Sequence, residues 1–96
     1  MQYIIVSRHP AAIEFIRSND ERFTDAPVIT GNATPSDVLG CIVAGNLPLS
    51  LARYAAEVVS VEFDGIPPRG AEYTAEDMVT AGARLARYLV CFLGEV

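Results

Sequence analysis

Residues 3–10 read YIIVSRHP, an apolar run that ends in an arginine, the only histidine of the chain and a proline. The apolar part predicts a buried strand, and the pattern that begins at Pro10 predicts a helix to about Ser18. In an open α/β sheet, a strand end that leads into a helix N-terminus is where anions and substrates bind. Arg8 offers a planar fork for phosphate, and histidine is the side chain whose ordinary pKa lies nearest neutrality. The stretch therefore predicts an α/β fold with phosphate chemistry at Arg8 and His9.

Strands and helices alternate along the rest of the chain. The sequence predicts strands at 28–29, 38–44 and 58–63, a helix from the turn 45–48 to about Ala56, and a last helix that opens with a capping box at Thr74. A stripe of apolar or small residues supports the last helix: Met78, Val79, Gly82, Leu85, Ala86, Leu89 and Leu93. This alternation predicts a compact Rossmann-like three-layer α/β sandwich, in one domain over residues 1–96. Its mainly parallel four-stranded sheet has the order 2-1-3-4 and carries three helices.

Three loops leave the same carboxyl edge of this predicted sheet, namely 7–10, 45–48 and 64–74. Besides Arg8 and His9 as candidate catalytic residues, they bring candidate ligand-binding residues to one crevice: Ser7, Gly45, Asn46, Leu47, Pro48 and Arg69. The free N–H groups of helix N-termini at this edge favour an anion.

Each of these segments also has a plainer interpretation. His9 could simply cap the helix, and Arg8 could form a surface ion pair. The turn 45–48 could be an ordinary strand-to-helix connection with Asn46 as the N-cap. The segment 67–72 could be a stiff surface loop. The sequence leaves both sets of interpretations open.

Composition places the chain among globular proteins and excludes several partners. Hydrophobic residues make up 51% and charged residues 20% of the sequence, as expected of a chain with a buried core. A net charge of −5 argues against binding to long nucleic acid, which needs an extended basic face. No apolar run reaches the roughly 18 residues of a membrane span and no signal sequence opens the chain, so we expect a cytoplasmic protein without membrane contact. Because no cluster of side chains has the spacing of metal ligands, we expect neither a metal nor a cofactor.

All seven basic residues are arginine. Arg84 and Arg87 fall on the outer face of the last predicted helix, where plain solvation is their expected role, and the role of Arg53 stays open. Cys41 lies in a predicted apolar strand and Cys91 in a predicted apolar helix, so we expect both to be buried thiols.

Three segments carry a resemblance to a known family. They are VSRHPAAIE at 6–14, GNLPLSLA at 45–52 and PRGAEYT at 68–74. In this order and spacing the segments resemble a family of small CRISPR-associated accessory proteins that accompany type III systems. The resemblance runs from about Tyr3 to Tyr88, almost the whole chain.

The resemblance implies a Rossmann-like fold related to the domains that sense cyclic oligoadenylates, and a homodimer that binds such a ring, with cyclic tetra-adenylate as the expected ligand. It implies a metal-independent ring nuclease, in which a ribose 2′-hydroxyl attacks the adjacent phosphodiester, Arg8 stabilises the developing charge and His9 helps the 5′-oxygen to leave. Two positions depart from the family pattern. Asn46 stands where threonine is usual, and Ala11 stands where glycine is usual, so we expect the Ala11 methyl group to narrow the approach to the helix N-terminus.

Two other functions stay open at this stage. The chain could bind the ring without cutting it, as a sponge or a sensor. It could also be a regulatory Rossmann-like module that binds a protein partner instead of a nucleotide.

Overall fold

The computed structural model of this chain describes residues 1–66 and 73–96. In chain order its strands and helices are β1 (Tyr3–Val6), α1 (Pro10–Asn19), a 3-10 helix (Glu21–Phe23), β2 (Val28–Ile29), α2 (Pro35–Val38), β3 (Ile42–Gly45), α3 (Leu49–Ala52), β4 (Glu57–Phe63), α4 (Ala75–Thr80) and β5 (Ala83–Tyr88). None of the helices in the described ranges is long and apolar enough to cross a membrane.

Five strands form one mixed sheet in the order β2-β1-β3-β4-β5. The first four strands run parallel to one another, and β5 is antiparallel to β4. The predicted order 2-1-3-4 is confirmed, and the predicted count of four strands is corrected to five for the part of the chain that the structure describes. Val6, the last residue of β1, lies opposite Gly45, the last residue of β3. The two segments that follow these strands therefore leave the sheet side by side.

Helices cover both faces of the parallel part of the sheet, and successive residues of a strand contribute to the cores on opposite faces. On one face, Ile4 of β1 packs in a cluster with Val38 of α2 and Ala52 of α3. On the other face, Ile5 of β1 packs in a cluster with Ile16 of α1. A third cluster joins α1 to α4 on that second face. The predicted three-layer α/β sandwich is confirmed, with four α-helices in the described ranges instead of three.

The predicted last helix is wrong beyond Thr80. Its start is confirmed, since the Thr74 hydroxyl oxygen accepts a hydrogen bond from the Asp77 amide at 3.1 Å. Gly82 then takes a φ of +76°, a conformation that ends the helix and favours glycine. The next six residues pair with β4 as strand β5.

The arginines of β5 are ion-paired, which differs from the plain solvation expected for a helix. Nη1 of Arg84 lies 3.2 Å from Oε1 of Glu62, and Nε of Arg84 lies 2.9 Å from Oδ1 of Asp64. Arg87 contacts Glu57 at 2.8 Å. These ion pairs join β5 to β4 and to Asp64, the residue that follows β4.

The predicted strand at 38–44 is also corrected. Its first residue ends α2, and the amide of Cys41 donates to the Val38 carbonyl at 2.9 Å, which makes a turn before β3 begins. The helix predicted to reach Ala56 is the single turn α3. Cys41 is buried as expected, whereas Cys91 follows β5 and is exposed, so the prediction of a buried thiol is wrong for Cys91.

Candidate functional site

A crevice of ≈ 500 Å³ opens where β1 and β3 end. The strand ends approach closely here because Gly45 has a φ of +138°, and a Cβ atom at this position would lie 2.1 Å from the carbonyl oxygen of Val6. Any other residue would force the two strand ends apart. Four segments contribute most of the lining: 7–9 after β1, 31–33 after β2, 45–48 after β3, and Tyr73 before α4.

Arg8 is oriented by the segment that follows β2. Its Nε donates to the carbonyl oxygen of Thr30 at 2.9 Å, and its Nη2 lies 3.4 Å from Oδ1 of Asn32. Within the described residues Arg8 makes no ion pair, so the surface ion pair that was its plainer interpretation is not formed. The rest of the exposed guanidinium is available to an anion.

His9 stands at the N-cap position of α1, yet its side chain makes no capping hydrogen bond. The Ser7 hydroxyl oxygen instead accepts from the His9 backbone amide at 3.2 Å. The imidazole lies against the ring of Tyr73, with ring centroids 5.1 Å apart and planes 35° from parallel. The interpretation of the His9 side chain as a helix cap is therefore wrong.

The first turn of α1 supplies backbone donors beside these side chains. The first intrahelical hydrogen bond runs from the Ile13 amide to the His9 carbonyl at 3.1 Å, so the amides of Ala11 and Ala12 have no acceptor within the helix. Ala12 lines the crevice. Ala11 does not, because its methyl group is buried in a cluster with Phe15. The expected narrowing of the approach by Ala11 is therefore wrong.

The turn 45–48 brings an amide and an apolar wall to the same crevice. Asn46 is exposed and Leu47 is half-buried, and both line the crevice with Pro48. Pro48, and not Asn46, occupies the N-cap position of α3, which corrects the plainer interpretation of Asn46. Because α3 is a single turn, this loop contributes side chains and no second long helix N-terminus.

Sequence reasoning missed two parts of the lining. Asn32 follows β2 at the same carboxyl edge, so the rule applied to β1 and β3 would have found it had it been applied to β2. Tyr73 lies in the segment 64–74 that was expected at this edge and Phe63 directly precedes it, but the sequence did not single out either side chain as part of the lining. Arg69, the remaining predicted ligand-binding residue, lies outside the described residues.

The charge of the crevice differs from that of the whole protein. The chain has 12 acidic residues and a net charge of −5, yet no carboxylate belongs to the lining formed by the described residues. Arg8 and His9 are the ionisable groups there besides the phenol of Tyr73, whose pKa is raised by burial. Across residues 1–66 and 73–96, no group of three His, Cys, Asp or Glu side chains is arranged to hold a metal ion. The arrangement can bind an anion and place an imidazole beside it.

One comparison with known proteins identifies a relative. A family model described as "Putative CRISPR-associated protein (Cas_VVA1548)" matches residues 4–91. No curated protein and no solved structure matches the chain.

Proposed function

Because the chain belongs to this family of CRISPR-associated proteins, we propose that it is a ring nuclease that binds and opens a cyclic oligoadenylate. Cyclic tetra-adenylate is the proposed substrate. The observation that carries the proposal is a crevice in an acidic protein whose lining, as far as residues 1–66 and 73–96 form it, has no carboxylate and holds Arg8, His9 and Ser7 beside the first turn of α1. Such a crevice suits a phosphodiester better than a cationic or neutral ligand.

The lining also suits the uncharged part of a nucleotide. Val6, Leu47, Leu51 and Phe63 supply apolar surface against which an adenine can lie, and Asn46 supplies an amide at the rim. Ligand sites typically combine such an apolar lining with a few placed polar groups.

The proposed reaction needs the ring, solvent water and the groups that line the crevice. A ribose 2′-hydroxyl attacks the adjacent phosphorus, gives up its proton to water and forms a 2′,3′-cyclic phosphate, while the bond to the 5′-oxygen breaks and that oxygen takes up a proton. Arg8 and the backbone amide of Ala12 stabilise the charge that develops on the phosphate oxygens. His9 donates the proton to the leaving 5′-oxygen.

The direct test is incubation of the protein with labelled cyclic tri-, tetra- and hexa-adenylate in EDTA, followed by separation of the products. We expect a linear product with a 2′,3′-cyclic phosphate, formed at the same rate with and without EDTA. A ring with 2′-deoxyribose should bind without being cut, because it lacks the nucleophile. Binding of the ribose ring without any cleavage would replace the enzyme by a non-catalytic binder, and absence of binding would contradict both.

Two substitutions separate binding from chemistry. Arg8→Ala should weaken ring binding by roughly 1.5–3 kcal/mol, the range for hydrogen bonds to a charged group. His9→Ala should leave binding within a few-fold and slow cleavage by about 10²–10⁴. Equilibrium binding and single-turnover cleavage measure the two effects.

Arg17→Ala is the matched control for the loss of one positive charge. Arg17 lies in the last turn of α1 and donates to the Ala26 carbonyl at 2.7 Å, outside the crevice lining. Ring binding by this variant should stay close to that of the unmodified protein. Equal losses in the Arg8 and Arg17 variants would show that net charge, and not the crevice, determines affinity.

A further inference from the structure

We infer that Tyr73 positions the imidazole of His9 for its step in the reaction, an inference that rests on the proposed function. It rests on the hydrogen bonds at His9, on the contact between the His9 and Tyr73 rings, and on the packing that fixes the Tyr73 ring. Tyr73 belongs to the segment PRGAEYT at 68–74, but the sequence alone gave it no role in the reaction.

Within residues 1–66 and 73–96, the His9 side chain has no partner for the hydrogen bond that usually orients a reactive imidazole. Catalytic histidines are commonly held by a carboxylate or carbonyl on the second ring nitrogen. Here, among the described residues, the only hydrogen bonds at His9 involve its backbone: the amide donates to Ser7, and the carbonyl accepts from Ile13. The orientation of the ring must come from another contact.

Tyr73 provides that contact. Its ring lies 5.1 Å from the imidazole, centroid to centroid, at 35°, a separation at which aromatic rings attract each other. A tilted stack restricts rotation of the imidazole. Its two nitrogens lie on the ring edge and stay free of the face that contacts Tyr73. Both rings line the crevice.

The position of Tyr73 is itself fixed. Its side chain is half-buried and packs against the cluster that joins α1 to α4, which includes Ala12 and Met78. Its chain neighbour Thr74 opens α4 with reciprocal bonds to Asp77, at 2.9 and 3.1 Å. Burial raises the pKa of the Tyr73 phenol, so the ring stays uncharged at neutral pH. A side chain packed in this way holds its partner within the narrow geometry that catalysis requires.

The test compares Tyr73→Leu with Tyr73→Phe, which keeps the aromatic ring. In NMR spectra of the ligand-free protein, the ring current of Tyr73 should shift the imidazole protons of His9. The shift should persist in Tyr73→Phe and disappear in Tyr73→Leu. For cleavage of cyclic tetra-adenylate, Tyr73→Leu should lower kcat by about 10- to 100-fold, the cost of a misplaced reacting group, and change KM by less than about threefold. Tyr73→Phe should restore kcat.

Tyr88→Leu makes the same chemical change at an exposed position of β5, where Tyr88 bonds to Glu62 and lies outside the crevice lining. This control should leave both the imidazole signals and kcat unchanged. An unchanged kcat in Tyr73→Leu, or an equal loss in Tyr73→Phe, would overturn the positioning role while leaving the ring nuclease intact. If the unmodified protein shows the ring-current shift but does not cleave the ring, the proposed function is refuted. The catalytic part of this inference is then refuted with it.

Discussion

Gly45 is the residue on which the geometry of the crevice depends. Two features require glycine here: its φ is +138°, and a Cβ atom added at this position would lie 2.1 Å from the Val6 carbonyl oxygen. Gly45→Ala should lower the free energy of unfolding by about 2–4 kcal/mol, because both the backbone conformation and the contact with β1 become unfavourable. Urea denaturation followed by circular dichroism measures the change.

Gly31→Ala is the control, since Gly31 also lines the crevice but has no atom of residues 1–66 or 73–96 within 4 Å of an added Cβ. Its stability should stay within about 0.5 kcal/mol of the unmodified protein. If the two variants are equally stable, the close approach of β1 and β3 is not the constraint described.

Much of the candidate site could be predicted at the scale of single residues. The segments that follow β1 and β3 were expected at one edge, because parallel strands share a carboxyl edge, and the structure brings Ser7, His9 and Asn46 into one crevice. Tyr73 could not be predicted, because its place beside His9 depends on the packing of α4 against α1, which no local pattern encodes. The chemical roles of these residues stay predictions.

At the scale of elements, the carboxylate of Glu57 joins β4 to β5 and to the 3-10 helix. It accepts from Arg87 at 2.8 and 2.9 Å and from Arg22 at 3.0 Å. Hydrogen bonds from Arg87 and then Arg22 lower the pKa of Glu57 from 4.5 to about 2. Since the folded pKa lies below the ordinary value, the stabilisation is complete above about pH 4.5 and is lost as the pH falls towards 2.

Glu57→Gln should therefore cost about 1–2 kcal/mol of unfolding free energy at pH 7, a range reduced by solvent screening. The difference in unfolding free energy between Glu57→Gln and the unmodified protein should shrink as the pH falls from about 4.5 to 2. Urea denaturation across this pH range tests it. Glu14→Gln, at an exposed position of α1 that forms no ion pair within the described residues, should show no such pH-dependent difference. A constant difference for Glu57→Gln would contradict the role assigned to its charge.

The element that sequence analysis missed, β5, shows where local patterns fail. The stripe from Met78 to Leu93 fits a helix, and its first turn is helical. Tertiary pairing then overrides local propensity, because Gly82 ends α4 and residues 83–88 add a row of hydrogen bonds to β4. By contrast, the apolar runs of β1 and β3 pack between helices, and the alternation of strands and helices with right-handed crossovers was sufficient to predict the order of the first four strands.

At the scale of the whole molecule, the size of the crevice bears on the number of chains that bind one ring. A single crevice of ≈ 500 Å³ falls within the range of about 300–1,000 Å³ that accommodates drug-sized ligands, and a cyclic tetranucleotide is much larger. A ring with two-fold symmetry fits two identical crevices related by a two-fold axis, which is the commonest arrangement of homo-oligomers. We therefore propose a homodimer in which two crevices share one ring, with an interface that borders the mouth of the crevice.

Leu49 is the residue that tests this arrangement, because it directly follows Pro48 of the crevice lining and is 75% exposed. Light scattering at micromolar concentration should give the mass of a dimer, and titration with cyclic tetra-adenylate should saturate at one ring per two chains. Leu49→Asp places a charge beside the proposed interface and should shift the protein towards the monomer, with weaker ring binding. Val79→Asp makes the same kind of change on α4, which packs with α1 on the opposite face of the sheet, where Val79 is 67% exposed, and it should leave the mass unchanged. A monomeric mass with and without the ring, or saturation at one ring per chain, would contradict the shared site, because each crevice would then have to hold a ring by itself.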